Sequence, residues 1–166
     1  MEYNQPSLIV KDLTFSTDAK WKIIEGVEKL NNAVKSTLGA SGKCVIYEDA
    51  LGKPVITKDG VTVAESVVLF DPVENIGATL IKEAANNTVK EAGDGTTTAT
   101  VLAHSLLKIA SARESDNVRE IKQGIKTATD KVMTYLDKVS IDVNDDLLEN
   151  VATISTNNDE ELGKFI

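Results

Sequence analysis

Apolar residues recur at a helical period in the first third of the chain, after a short head. Their spacing of about 3.6 residues places them on one face of a long amphipathic helix. They are Ile23, Ile24, Val27, Leu30, Val34 and Leu38. Ser16-Thr17-Asp18 offers capping oxygens at the start, and the glycines in Leu38–Gly42 are typical of a helix end followed by a loop. The pattern therefore predicts a long first helix.

The next segment has the period of strands. Three short runs rich in β-branched residues, Cys44–Tyr47, Pro54–Thr57 and Val61–Val63, are separated by turn residues. Asp59-Gly60 lies between the second and third runs and is a favoured hairpin turn. We predict a small β-meander here.

Helical periodicity returns from Asp71-Pro72, a favourable helix start, and continues to Gly93, a favourable helix end. A third helix begins within residues 93–98, and a fourth spans about Asp116 to Val139. The remainder is polar and less periodic, and it ends on apolar residues that resemble the opening of another amphipathic helix. The predicted fold class is mainly α with a small β-meander.

Composition narrows the class of protein. The 166 residues carry a net charge of −8, without a cluster of Lys and Arg, and 4% of them are aromatic. These values argue against nucleic acid as a partner. No apolar run approaches the length of a membrane span, so no membrane partner is expected. The single cysteine, Cys44, excludes an internal disulfide and favours a reducing, cytoplasmic location.

The segment Gly93–Thr100 is unusual for a helix start because it contains three consecutive threonines. Each costs up to roughly 0.7 kcal/mol against alanine inside a helix. Two interpretations remain open at this point. Asp94 and the threonines could simply cap the helix, or they could bind a phosphate at the helix N-terminus, with Asp94 holding Mg²⁺.

Lys58-Asp59-Gly60 also has two interpretations. It could be a plain hairpin turn, or Asp59 could reach the same metal and phosphate as Asp94, with Lys58 as a counter-charge. The segment Gly39–Lys43 is not a phosphate-binding P-loop, because its glycine spacing is too short and Cys44 follows the lysine.

Four further residues are not expected to take part in catalysis. His104 has no Ser or Cys partner at a recognisable spacing and is not expected to be catalytic. Trp21 and Phe70 are expected to pack, and Cys44 is expected to be a small core residue.

Taken in order, several segments resemble the start of a group I chaperonin subunit (GroEL type), and together they cover nearly the whole chain. The segments are Ala33–Gly39, Ile56–Ala64, Glu91–Ala103, Val151–Ser155, Asn158-Asp159 and Gly163-Lys164. The resemblance implies that residues 1–139 form the N-terminal part of an equatorial, ATP-binding domain. Residues 140–166 would begin the intermediate domain, and the apical domain would be absent. The expected fold is therefore an incomplete, equatorial-domain-like helical bundle.

The resemblance also implies roles for individual residues in a site for ATP and Mg²⁺. Lys58 would lie near the γ-phosphate, Asp59 would belong to the hydrolytic site, and Asp94 would carry Mg²⁺. Other residues would line the nucleotide or cradle its phosphates: Thr37, Leu38, Gly39, Ala40, Gly95, Thr96, Thr97 and Thr98. The chain departs from the family pattern at Ala40 and Ser41, where the family has Pro and Lys, and at Asp142, where a hinge Pro is common.

The function implied is that of an ATP-dependent protein-folding chaperone. Such a subunit would assemble into a ring with other chaperonin subunits and would act with a co-chaperonin on non-native client proteins. We expect this chain to be a fragment or truncated form that carries part of the ATP and Mg²⁺ site. The alternative is a stand-alone, short chaperonin-like module that binds or modulates a full-length ring without ATPase activity of its own.

Overall fold

The computed structural model describes residues 13–39, 41–113, 117–156 and 159–166, and the chain divides into two compact units, Met1–Glu114 and Ser115–Ile166. The first unit contains four helices and one antiparallel hairpin in its described part. In chain order these are α1 (Ser16–Lys35), β1 (Val45–Glu48), β2 (Pro54–Thr57), α2 (Gly60–Ser66), α3 (Pro72–Ala92) and α4 (Thr96–Ser111). The second unit contains α5 (Val118–Val139), α6 (Asp145–Ser155) and α7 (Glu160–Phe165). The predicted class, mainly α with a small β element, is confirmed.

The hydrophobic core of the first unit lies where α1, α2 and α3 meet. Its buried side chains come from the apolar face predicted for α1 and from the short helix α2 and the middle of α3. They are Val27, Leu30, Val34, Val63, Ala64, Ala78 and Ile81. Removing these side chains from water is the main driving force that holds the three helices together.

Helices α1 and α3 cross at very short range because each contributes a glycine to the contact. A methyl group on Gly26 would meet the backbone of Glu74, and one on Gly77 would meet the backbone of Ile23. Beside this crossing, Lys29 Nζ lies 2.7 Å from Glu74 Oε2 and links the two helices. The position of α3, and therefore of the segment that follows it, is fixed by this contact.

The predicted bounds of α3 are confirmed. Asp71 caps its start, since Asp71 Oδ1 accepts hydrogen bonds from Val73 N at 2.8 Å and Glu74 N at 3.2 Å, and Pro72 occupies the first turn. Gly93 ends the helix in a left-handed conformation with φ of 78°. Both features follow the preferences on which the prediction rested.

The prediction of a third strand in the β-meander is wrong. In the part of the chain that the structure describes, the sheet has two strands, paired from Val45 opposite Thr57 to Glu48 opposite Pro54, and Val61–Val63 belongs to α2. Short runs of apolar residues do not distinguish a strand from a buried helix. Here the Asp59 side chain caps a helix and Val63 is buried in the core, so the helical conformation prevails.

Several predicted residue environments also differ. Helix α1 has Phe15 at its N-cap without a side-chain capping bond, and it ends at Lys35, so that Leu38 is 46% exposed. Trp21, Phe70 and Cys44 are exposed and do not pack in a core. Cys44 also lies just before β1 and not within it. The prediction from residue type alone overestimated the burial of these side chains, because apolar atoms supply much of the surface of a folded protein.

In the second unit, the predicted fourth helix is α5, and Asn117 caps it by accepting a hydrogen bond from Arg119 N at 2.9 Å. Asp116, the predicted start, lies outside the described residues. The short helix expected at the end of the chain is α7, which packs on α6 with Gly163 buried between them. Among the helices described, none combines the length and apolarity that crossing a membrane requires. The predicted domain boundary after residue 139 stays a prediction.

Candidate functional site

Three segments that are far apart in the sequence form one cleft in the first unit. The cleft has a volume of about 290 Å³ and lies between the end of α1, the start of α2 and the start of α4. Its lining residues are Thr37, Leu38, Gly39, Lys58, Asp59, Gly60, Val61, Asp94, Gly95, Thr96, Thr97 and Thr98. Every candidate site residue from the sequence is among them except Ala40, which lies outside the described residues. The structure thus brings the candidates together, while their individual roles stay predictions.

Gly60 allows the helix N-termini to approach each other. A methyl group at this position would meet the side-chain oxygen of Thr97 on α4 and would lie 3.4 Å from Thr37 Oγ1. A larger residue would therefore separate α2 from α4 or displace the threonine side chain. Gly60 and Val61 are the lining residues that the sequence reasoning missed, although their position next to Asp59 was a usable signal.

Asp59 is the N-cap of α2. Its Oδ2 accepts hydrogen bonds from Thr62 N at 2.8 Å and Thr62 Oγ1 at 2.5 Å, and its Oδ1 accepts one from Val61 N at 3.3 Å. Partial desolvation opposes the charge, but these hydrogen bonds outweigh it and lower the pKa of Asp59 below its ordinary value. The hairpin-turn interpretation of Asp59-Gly60 is therefore wrong, and Asp59 presents an ionised carboxylate to the cleft at neutral pH.

The start of α4 has no side-chain cap, in contrast to α2 and α3. Its N-cap is Gly95, whose φ of 100° is a left-handed conformation that favours glycine. Ala99 N donates to Gly95 O, but within the described residues the backbone N–H groups of Thr96, Thr97 and Thr98 have no acceptor. The simple capping interpretation therefore fails for Asp94. Three free donors at a helix N-terminus, together with the helix dipole, form an environment suited to an anion.

Thr96 adds a buried polar group to this environment. Its side chain is 3% exposed, and its hydroxyl oxygen has no hydrogen-bond partner among the described residues. Its carbonyl oxygen, by contrast, accepts a bond from Thr100 Oγ1 at 2.9 Å. A buried hydroxyl without a partner is costly. Asn31 Oδ1 and His104 Nε2 lack a partner among the described residues in the same way and do not line the cleft, so this feature alone does not indicate a ligand.

Asp94 and Lys58 supply opposite charges to the cleft, and both side chains are exposed. Within the described part, Asp94 makes one hydrogen bond, in which Gly95 N donates to Asp94 Oδ1 at 2.5 Å. The rest of this carboxylate is available for a cation. No group of three or more His, Cys, Asp or Glu side chains suited to a metal occurs in the described ranges. A cation at Asp94 would therefore take most of its ligands from water and a bound anion, as Mg²⁺ commonly does.

The segment after α1 forms the remaining wall. Thr37 Oγ1 donates to Val34 O at 2.8 Å, and the loop closes through Lys43 N donating to Ser36 O at 2.8 Å. His104, on α4, does not line the cleft. Its burial lowers its pKa below the ordinary histidine value. That environment gives no support to a catalytic role for His104.

Solved structures of two chaperonins are similar to this chain over most of its length. Chaperonin gp146 from the bacteriophage EL 2 (Pseudomonas aeruginosa), crystallised in two forms in the presence of ATP-BeFx, shares 31% sequence identity with a TM-score of 0.78. That alignment covers 90% of this chain and 27% of gp146. A group III chaperonin in its open state shares 28% identity with a TM-score of 0.75, over 89% of this chain and 30% of that protein.

The chain thus spans less than a third of the length of these relatives. The comparison with sequence families agrees with these structures. The TCP-1/cpn60 chaperonin family matches residues 30–166, a range that includes every lining residue of the cleft. This chain belongs to the TCP-1/cpn60 chaperonin family.

Proposed function

We propose that the cleft is the N-terminal part of the nucleotide site of an ATP-dependent protein-folding chaperone. One observation carries the proposal: the uncapped first turn of α4 lies in the same cleft as the carboxylates of Asp59 and Asp94. Free amides and threonine hydroxyls suit phosphate oxygens, and Asp94 suits Mg²⁺ bound to those phosphates. The ATP analogue present with gp146 agrees with this assignment.

The chemistry expected of the site divides among its residues. The N–H groups of Thr96, Thr97 and Thr98 would bind phosphate oxygens, and Lys58 would offset their charge. Mg²⁺, when bound, would neutralise phosphate charge and polarise the phosphorus–oxygen bonds. The ionised carboxylate of Asp59 would orient and accept a proton from a water molecule.

The group I type is also part of the proposal, as is assembly into a ring with a co-chaperonin and non-native client proteins in the cytoplasm. Group I is supported by the segment Thr98–Ala103 and by Lys58 preceding Asp59-Gly60. A pull-down with a group I co-chaperonin tests this part separately. Recovery of a ring that contains this chain supports it, and failure of an intact ring containing the chain to bind the co-chaperonin contradicts it.

Binding of Mg-ATP to the 166-residue chain is the direct test of the site. A ligand present at 100 times its Kd stabilises a protein by about 2.7 kcal/mol. We therefore expect millimolar Mg-ATP to raise the thermal unfolding midpoint of the chain. Asp94→Asn should weaken Mg-ATP binding by at least about tenfold, equivalent to about 1.4 kcal/mol, with little effect on ATP in the absence of Mg²⁺.

Asp142→Asn is the matched control, because it removes the same charge from an exposed position that does not line the cleft. This control should bind Mg-ATP as the unsubstituted chain does. Absence of any Mg-ATP effect on the unsubstituted chain, or an equal loss in both variants, contradicts the proposed site.

A further inference from the structure

The carboxylate of Asp59 is held asymmetrically. Two donors from a single residue, Thr62 N and Thr62 Oγ1, lie 2.8 Å and 2.5 Å from Oδ2. Oδ1 receives one longer bond, from Val61 N at 3.3 Å. Because each oxygen of an ionised carboxylate accepts about two hydrogen bonds, Oδ2 is satisfied and Oδ1 keeps acceptor capacity.

The hydroxyl of Thr62 behaves differently from those of threonines within the longer helices. Thr79 Oγ1 donates to Asn75 O at 2.8 Å, and Thr100 Oγ1 donates to Thr96 O at 2.9 Å, so both bond the carbonyl four residues earlier. Thr62, in the first turn of α2, instead bonds a carboxylate. Within the described ranges no Lys, Arg or His side chain forms an ion pair with Asp59. Within these ranges the carboxylate is therefore held by one neutral hydroxyl and by the backbone N–H groups of Val61 and Thr62, and not by a cationic side chain.

We propose that Thr62 is a positioning residue for the candidate site. Its hydroxyl donates a hydrogen bond to Asp59 Oδ2, and this leaves Oδ1 as the oxygen that can accept a hydrogen bond from water. The inference rests on the proposed function, in which Asp59 acts on water. Thr62 itself does not line the cleft, so it would act through Asp59 and without contact to the nucleotide. The Thr62 hydroxyl is uncharged, so it does not compensate the negative charge of Asp59. Only the ionised form of this carboxylate can accept a proton from water.

Two substitutions separate the hydroxyl from the shape of the side chain. Thr62→Val removes the hydroxyl and keeps the branched shape, whereas Thr62→Ser keeps the hydroxyl. Ser66→Ala is the matched control, because it removes a hydroxyl from the other end of α2, where Ser66 Oγ donates to Val63 O. The measurement is the ¹³C NMR titration of the Asp59 side-chain carboxyl in the 166-residue chain, together with Mg-ATP binding by the unsubstituted chain and Ser66→Ala.

We expect Thr62→Val to raise the pKa of Asp59, and Thr62→Ser and Ser66→Ala to leave it where it is in the unsubstituted chain. An unchanged Asp59 titration in Thr62→Val, or an upward shift in Thr62→Ser equal to that in Thr62→Val, overturns the assignment of the hydroxyl. If the titrations follow the expectation but the unsubstituted chain does not bind Mg-ATP, the proposed function fails. In that case the role of Thr62 is limited to stabilising the N-cap of α2.

Discussion

Asp59 is both the N-cap of α2 and a lining residue of the cleft. As the N-cap of α2 it is tied into the backbone by hydrogen bonds from Val61 and Thr62, and as a lining residue it presents a charge to the cleft. The hydrogen bonds that stabilise the helix also keep the carboxylate ionised, since they lower its pKa. Local stability and the proposed chemistry therefore depend on the same contacts.

This linkage predicts a pH-dependent stability. Because the pKa of Asp59 is lowered by folding, its stabilisation is present above the unfolded value of about 3.9 and is lost as the pH falls through the folded value. Asp59→Ala should reduce the free energy of unfolding by about 1 kcal/mol at neutral pH. The difference from the unsubstituted chain should shrink as the pH falls below about 3.9.

Urea unfolding across this pH range measures the effect. Asp59→Asn should lose less than Asp59→Ala at neutral pH, because asparagine also caps helices. A difference between Asp59→Ala and the unsubstituted chain that stays constant with pH would show that the carboxylate charge contributes nothing.

Gly60→Ala should damage the cleft directly. The added methyl group would meet the Thr97 side chain, and overpacking of this kind typically costs about 1–3 kcal/mol. We expect weaker Mg-ATP binding in addition, measured by calorimetry at a temperature where the variant is folded. Gly124→Ala is the control, since a methyl group there has no neighbour within 4 Å. Unaltered Mg-ATP affinity in folded Gly60→Ala would show that the close approach of α2 to α4 is unimportant for binding.

At the scale of elements, the sequence defined the ends of α3 correctly but not those of α1, and it did not define the contacts between helices. Asp71 and Gly93 marked the ends of α3 correctly because capping depends on residues adjacent in the chain. The helical conformation of Val61–Val63 was missed because it depends on burial of Val63 against other helices. The α1–α3 crossing was likewise not predicted, although glycines 26 and 77 make it possible.

Gly77→Ala tests the importance of that crossing. Its methyl group would meet the backbone of Ile23, which cannot rotate away as a side chain can, so a loss of about 1–3 kcal/mol or more is expected. Gly124→Ala, in an open helical position, should instead gain up to about 1 kcal/mol. Circular dichroism during urea unfolding measures both. Equal stability changes in the two variants would contradict the close contact between α1 and α3.

At the scale of the whole molecule, the cleft is open to solvent. Lys58, Asp59 and Asp94 are exposed, whereas efficient catalysis of phosphoryl transfer relies on preorganised groups in a site from which water is excluded. This chain also spans less than a third of the length of its solved relatives. We therefore treat nucleotide binding and rapid hydrolysis as two separate predictions for this chain.

We predict that the 166-residue chain binds Mg-ATP but does not hydrolyse it at a rate typical of a chaperonin. Phosphate release under steady-state conditions measures this. Sustained Mg²⁺-dependent turnover that disappears in both Asp59→Ala and Asp94→Ala would contradict the prediction and would show that the exposed cleft is sufficient for catalysis.

The sequence by itself determined the helical class, the ends of α3, and the short segments that contain the candidate residues. These features depend on periodicity, capping and turn preferences, which act over a few neighbouring residues. Only the tertiary structure decided that residues 37–39, 58–61 and 94–98 share one cleft. It also decided that Asp59 caps a helix, whereas the N–H groups in the first turn of α4 find no acceptor among the described residues. These outcomes depend on packing between segments distant in the chain, which local preferences do not specify.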